Sequence, residues 1–321
     1  MCPAVPATTY LMRLLFIVLL GLLAPLARAQ DATPIFHAGV SDVRVDVQAV
    51  AGATPIEDLK RNDFAVFDSG TVQPLTYFGH ESEPVSLVLL LDVSGSMQKS
   101  LEEIAQRANE ALSLLSPADR VAIMVFGRTT ALHQDFSDNL AETARQLQAA
   151  IHGHDVGSGT AINAAVLDAA SLLHNRPSRL SGRNAILIVT DNLCINYKHP
   201  DAEVVRALDE DNIVLDAIVT GRGIRPAPPR LGEYRNPDFT PADVFHLAEE
   251  TGGDAIHSNQ AGAALHDMIE AIRARYSLSY RLPPAAPGAW RSIEVELTPI
   301  ARQRYPNAVL HYRAGYYTPG S

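Results

Sequence analysis

Cysteine is nearly absent: the 321-residue chain has two, Cys2 and Cys194. That count excludes a disulfide scaffold and a cysteine-rich zinc module. Positive charge is short as well. Twenty-six Lys and Arg stand against 36 Asp and Glu, a formal net charge of −10. No basic surface is offered to phosphates, which argues against a nucleic-acid partner. The one long apolar run, near the amino terminus, falls short of the roughly 20 residues that span a bilayer. There is no internal repeat, heptad or low-complexity tract, and no G-x-S-x-G elbow to expose a nucleophilic serine. Gly157-Ser-Gly-Thr160 lacks the lysine that a phosphate loop requires. What is present is ordinary globular material, 47% hydrophobic and 19% charged, so disorder is not the dominant state.

The first residues read as an export leader. Arg13 precedes an apolar stretch, residues 14–24, and Ala27-Arg28-Ala29 supplies an A-x-A cleavage site. Met12-Arg13 opens a more compact leader than Met1 does. No Cys follows the apolar stretch, so a lipid anchor is not expected. Cleavage after Ala29 removes two arginines and Cys2 but no acid. The mature chain from Gln30 is then more acidic, has one thiol and keeps no membrane span. Its expected location is secreted or periplasmic.

Beyond residues 1–29 three zones follow. Residues 30–84 alternate like half-buried strands: Val43, Val45 and Val47 interleave with Arg44, Asp46 and Gln48. Residues 64–67, a turn at 68–70 and residues 72–78 read as a hairpin. From 85 to 275 the pattern changes. Residues 85–91, 121–126, 185–190 and 213–219 are almost wholly apolar, as in strands buried on both faces. Helical stretches alternate with them at 101–115, 140–151, 161–173, 202–208 and 261–273. A further helix opens at Pro241 and ends at Gly252-Gly253, and 131–136 reads as a short edge strand. This order predicts an α/β fold with a doubly wound, mainly parallel sheet. The Pro-rich stretch 221–237 reads as a spacer. Residues 276–321 return to strands at 277–282, 293–297 and 308–312. The two β-rich ends are too short to stand alone, so the expectation is one accessory β unit built from both.

The chemistry gathers where the first buried strand ends. Asp92, Ser94 and Ser96 alternate just past its carboxyl end, with Gly95 allowing a tight turn. Open α/β sheets place ligands in that crevice. Oxygen-bearing side chains aimed at one point suit a hard cation such as Mg²⁺ or Ca²⁺. The plainer reading is a helix N-cap. Two more segments bear on it. Gly157-Ser-Gly-Thr160 precedes a helix, and Asp191 ends another apolar strand. In a doubly wound sheet both open on the same edge as Asp92. Two carboxylates balance a divalent charge, and hydroxyls coordinate without adding any.

Asp92-x-Ser94-x-Ser96, Thr160 and Asp191 resemble the metal-ion-dependent adhesion site of von Willebrand factor type A domains. All five positions are present in order. Asn192 departs from the glycine often found there, which touches only the loop's shape. Asp63-Phe-Ala-Val-Phe-Asp68 with Val72-Gln, Glu250-Thr-Gly-Gly-Asp254, Tyr276-Ser-Leu-Ser-Tyr280 and Arg313-Ala-Gly-Tyr-Tyr317 extend the likeness to a bacterial, exported von Willebrand factor A-related family. The resemblance implies a Rossmann-like α/β fold and Mg²⁺ (or Mn²⁺ or Ca²⁺) held by Asp92, Ser94, Ser96, Thr160 and Asp191. It also implies a protein partner that offers a carboxylate to the ion. No catalytic residue is expected. A metal-assisted hydrolase is the alternative, disfavoured because no general base has a clear position; a structural envelope scaffold with a silent metal is another. His152-Gly-His154-Asp155 reads as a solvated loop, Cys194 as a packed thiol, and Tyr312, Tyr316 and Tyr317 as sheet packing.

Overall fold

Strands that alternate and strands that are apolar throughout end up in different layers. The computed structural model describes residues 42–52, 54–80, 83–152, 155–176, 182–197, 199–227 and 239–319. The export leader, the cleavage site, His154 and residues 228–237 of the Pro-rich stretch lie outside the described residues.

Along the chain come β1 (Asp42–Ala51), β2 (Thr54–Pro55), β3 (Phe64–Asp68), β4 (Thr71–Gln73), β5 (Leu75–Gly79) and β6 (Val85–Asp92). Then follow α1 (Gln98–Leu112), β7 (Arg120–Phe126), β8 (Thr130–Ser137), α2 (Leu140–Ala150), α3 (Ile162–His174), β9 (Arg183–Thr190) and β10 (Ile195–Tyr197). Next are α4 (Asp201–Glu210), β11 (Ile213–Val219), β12 (Phe239–Pro241), α5 (Val244–Thr251), β13 (Ala255–His257) and α6 (Ala261–Arg273). The chain closes with β14 (Tyr276–Arg281), β15 (Trp290–Leu297), α7 (Pro299–Arg304), β16 (Ala308–His311) and β17 (Gly315–Tyr317).

The central sheet has the order β13-β11-β9-β6-β7-β8. Its strands are parallel except β8, which runs antiparallel on the β7 edge. Every residue of β6 and of β11 is buried. Their side chains point alternately to two cores, the reason these segments read as continuous apolar runs. One core joins Leu87, Leu89 and Leu91 to Leu101 and Ile104 of α1, Leu147 of α2 and Met268 of α6. The other joins Val88 and Leu90 to Val166 of α3, Leu208 of α4 and Leu247 of α5. Helices thus cover both faces, as the alternation predicts.

The terminal strands form the accessory unit expected of them. β1 pairs antiparallel with β14, from Asp42 opposite Arg281 to Val47 opposite Tyr276, and its second half pairs with β16. β3 pairs with β15, and β15 with β17. A third core fills the space between, with Val45, Val47, Phe64, Val66, Tyr276, Leu278, Tyr280 and Val295. Tyr280 and Tyr316 both donate to the buried Asp68 carboxylate, at 2.8 and 2.7 Å.

Three expectations need correction. β1 is buried on both faces, not half-buried: Asp46 and Gln48 are 6% and 4% exposed. Their face is covered because Arg44 and Ser277 bond to Asp46 there. The hairpin's second arm splits at Pro74, which has no N–H for a ladder. β4 pairs with β3, whereas β5 crosses to β14 in the other sheet. Pro241 ends β12 and opens no helix. α5 starts at Val244, where the Asp243 side chain accepts the His246 N–H at 3.1 Å as an N-cap. The short β10–β12 ladder and β13 carry too few residues to show a period.

Candidate metal centre

Asp92 is the last residue of β6 and is fully buried. One carboxylate oxygen, Oδ1, accepts the Ser94 N–H at 3.0 Å, and Oδ2 accepts the Thr190 hydroxyl at 2.8 Å. The Ser94 and Ser96 hydroxyls lie 3.2 Å apart across the Gly95 turn. Ser96 donates to Oδ2 of Asp191 at 2.7 Å, and Oδ1 of Asp191 accepts the Leu193 N–H at 3.1 Å. Four of the five residues singled out from sequence are therefore brought to one point at the carboxyl edge, from loops separated by nearly a hundred positions.

Thr160 stands on the same edge, one strand over. Phe126 of β7 lies opposite Asp92, and the next residue, Gly127, accepts the Ala161 N–H at 2.8 Å. A Cβ at Gly127 would come within 2.7 Å of the Gly157 carbonyl, so a glycine is needed for this loop to pass. Gly157 and Gly159 turn the chain with φ of 71° and 114°. The hydroxyl of Thr160 makes no hydrogen bond to the other four residues among those described.

Two further residues complete the centre: Thr190, which sequence reasoning passed over, and Asn192, which it noted only for the loop's shape. Thr190 is fully buried and holds Asp92 in place while its Oγ1 accepts the Asn192 N–H at 3.1 Å. Asn192 sits at φ 54°, a left-handed conformation that asparagine tolerates better than most residues. Its amide donates to the Ile224 carbonyl and accepts the Val244 N–H, both at 3.3 Å. Asn192 thus does the work of a turn residue and also ties three loops together. The signal for Thr190 was adjacency to Asp191, and for Asn192 also its departure from the glycine often found there.

Burial pushes the Asp92 carboxyl above its usual value, and the charge of Asp191 pushes the same way. The donor set is two carboxylates and hydroxyls, all hard oxygen. It fits a hard divalent cation, whose charge would offset both acids. Among the described residues no group of three or more His, Cys, Asp or Glu gathers, so beyond the two carboxylates the side-chain oxygens at hand are hydroxyls. Every hydrogen bond to these four side chains comes from a hydroxyl or a backbone N–H. Cys194, nearby, is half-buried, and burial pushes its thiol up to about 11, which keeps it protonated and packed.

Residues 87–193 match the family model of the von Willebrand factor type A domain. The centre of this chain is a domain of that class, and the match runs from β6 through Asp191. No match is found among curated proteins. Among solved structures, an aerotolerance-related membrane protein from Bacteroides fragilis is 18% identical, covering 59% of this chain and 98% of that one, with a TM-score of 0.45. BatB from Bacteroides thetaiotaomicron is 20% identical, covering 59% and 97%, TM-score 0.44. Proximal thread matrix protein 1 from the mussel byssus, with a zinc-occupied MIDAS motif, is 13% identical, covering 65% and 50%, TM-score 0.46. At these identities and scores none of the three bears on what this chain binds.

Proposed function

We propose that this chain is an exported, divalent-metal-dependent binding module that captures an acidic side chain of a partner protein. Asp92, Ser94, Ser96, Thr160 and Asp191 would hold the ion, Mg²⁺ or else Mn²⁺ or Ca²⁺. When bound, the ion supplies a positive charge that a partner's carboxylate can complete. The observation that carries this reading is the convergence of Asp92 and Asp191, from two parallel strands, on the Ser94–Ser96 turn. Two acids at one point repel, and a cation removes the repulsion. The neutral hydroxyls leave the ion electrophilic enough to take an outside carboxylate. Ser96 is exposed, so the point is open to a partner.

Binding is preferred to hydrolysis because the groups bonded to Asp92 and Asp191 are hydroxyls and backbone amides, which are poor general bases. Export rests on the leader in the sequence. Among the described residues no helix is long and apolar enough to cross a membrane. Titration calorimetry with Mg²⁺ and Mn²⁺ tests the centre: the wild-type chain should bind and Asp92→Ala should not. Equal affinity in the two would sink the assignment. N-terminal sequencing of the exported protein, expected to begin at Gln30, tests the location.

A further inference from the structure

The turn that presents Ser94 and Ser96 is not held by a cap. Neither the single helical turn at Gly95–Met97 nor α1 receives a hydrogen bond from its N-cap side chain. The Ser94 and Ser96 hydroxyls bond to each other and to Asp191 instead. The backbone between them therefore needs another anchor, and Met97 supplies it. Gly95 and Ser96 are exposed; one residue later Met97 is fully buried, in the same core as Leu101 and Ile218. Its N–H donates to the Ser94 carbonyl at 2.9 Å and closes the turn.

The Met97 sulfur in turn accepts the Thr220 hydroxyl at 3.4 Å. Thr220 follows β11 directly and is 1% exposed. A thioether is a weak acceptor. It is nevertheless the one partner of this buried hydroxyl among the described residues, and a buried donor left unpaired is costly. Backbone bonds fix Thr220 where it stands. Its N–H donates to the Thr190 carbonyl at 3.0 Å, and the preceding Val219 carbonyl accepts the Ser258 N–H at 2.9 Å. Five hydrogen bonds thus close a circuit beneath the centre. It runs from Asp92 Oδ1 to the Ser94 N–H, and from the Ser94 carbonyl to the Met97 N–H. It continues from the Met97 sulfur to the Thr220 hydroxyl, and from the Thr220 N–H to the Thr190 carbonyl. The Thr190 hydroxyl returns it to Asp92 Oδ2. The circuit ties together the ends of β6, β9 and β11.

We infer that Met97 and Thr220 are positioning residues of the metal centre. Thr220 is hydrogen-bonded to none of the five candidate ligands, yet through the Met97 sulfur it fixes where the Ser94–Ser96 turn meets Asp92 and Asp191. A shell already in place binds an ion more tightly than one that must be ordered on binding. This inference rests on the metal-dependent reading above, and the test separates the two.

Calorimetric titration with Mg²⁺ and Mn²⁺, beside melting curves without metal, tests it on the full chain. Thr220→Val keeps the shape of the side chain and removes the hydroxyl. It should melt close to the wild type and bind Mg²⁺ about tenfold more weakly, the low end for losing a partner behind a metal ligand. Thr220→Ser keeps the hydroxyl and loses a buried methyl. It should melt lower and bind the ion as the wild type does, whereas a merely structural threonine would give the reverse order. Met97→Leu removes the sulfur from the same core position and should match Thr220→Val in affinity. The double variant of Met97→Leu and Thr220→Val should lose no more than either change alone, since the two act through one contact. Wild-type affinity in Thr220→Val, a loss in Thr220→Ser as large as in Thr220→Val, or additive losses in the double variant would each overturn the inference and leave the metal-dependent reading standing. A wild-type chain that binds neither ion would overturn that reading and this inference together.

Discussion

The two edges of one parallel sheet are finished in opposite ways. At the amino edge, where the β unit docks, four arginines are sunk and almost fully bonded. Arg183, 3% exposed, donates to the carbonyls of Ile272, Arg273 and Arg275 at 3.0, 3.1 and 2.9 Å, capping the end of α6. Arg275 pairs with Asp216 at 2.7 Å and bonds the Gly252 carbonyl. Arg313 bonds the Asp209 and Arg44 carbonyls and Asn212. Arg273 reaches the buried Asp119, which itself accepts the Val85 N–H that begins β6. At the carboxyl edge Asp92 and Asp191 meet hydroxyls, and among the described residues no Lys or Arg is paired with either. One edge is closed and holds the layers together; the other is left a positive charge short. On the reading proposed above, structure and binding are separated to opposite ends of the same strands.

Breaking the closed edge should have the largest effect. Arg183→Met keeps the stem of the side chain and removes its donors, leaving three carbonyls at the end of α6 without their partner. A loss of about 3–5 kcal/mol is expected, the range for breaking a buried charged network. Urea unfolding measures it, and Mg²⁺ affinity of the protein that remains folded should be unaltered. A loss below about 1 kcal/mol would mean that the apolar cores alone join the layers.

The open edge should respond in reverse. Mg²⁺ at a hundred times its dissociation constant should stabilise the wild-type chain by about 2.7 kcal/mol. Asp92→Ala should show none of that gain, while its metal-free stability stays within about 1 kcal/mol, because removing a buried charge that faces Asp191 offsets the hydrogen bonds lost from Ser94 and Thr190. Melting curves with and without the ion are sufficient. A variant that melts far below the metal-free wild type would assign Asp92 to the scaffold.

Acidity distinguishes the edges next. Asp209 lies against Arg313 at the closed edge, and burial pushes its carboxyl up to about 7 although Arg313 pulls it down. The unfolded group titrates near 3.8. Between those values the folded chain holds a proton that the unfolded chain does not, so stability from this group falls as pH rises through the window. About 2 kcal/mol should separate pH 5.5 from pH 7, and Asp209→Asn should flatten that slope. An identical slope in both proteins would show that the ion pair is already well compensated.

The closed edge was far less legible in the sequence than the open one. Apolar runs such as 85–91 announce a strand buried on both faces, and the observed β6 and β11 match the predicted spans closely. The motif residues at the carboxyl edge lie beside strand ends, where periodicity locates them. The arginines of the closed edge have no period. Arg183 opens a strand, Arg273 ends a helix, Arg275 lies between that helix and the next strand, and Arg313 sits between two short strands. Each looks like a surface cation until the β unit is laid over it. The same covering buries Asp46 and Gln48, which alternation had placed in solvent.

Thr160 is the position at which the sequence ran ahead of the geometry, and it carries the smallest expected effect. Its segment is anchored to the right edge through Ala161 and Gly127. Its hydroxyl, unlike those of Ser94 and Ser96, is joined to none of the other candidate ligands. Thr160→Ala should therefore leave the melting temperature of the metal-free protein unchanged, since no hydrogen bond to the site is lost. If the hydroxyl is a ligand once the ion arrives, Mg²⁺ affinity should drop about tenfold, equivalent to about 1.4 kcal/mol, because a neutral donor is lost and both charges remain. Thr160→Ser, which keeps the hydroxyl, should restore it. Calorimetry that finds Thr160→Ala equal to the wild type would confine the centre to Asp92, Ser94, Ser96 and Asp191, all supplied by the ends of two adjacent parallel strands and the loops after them.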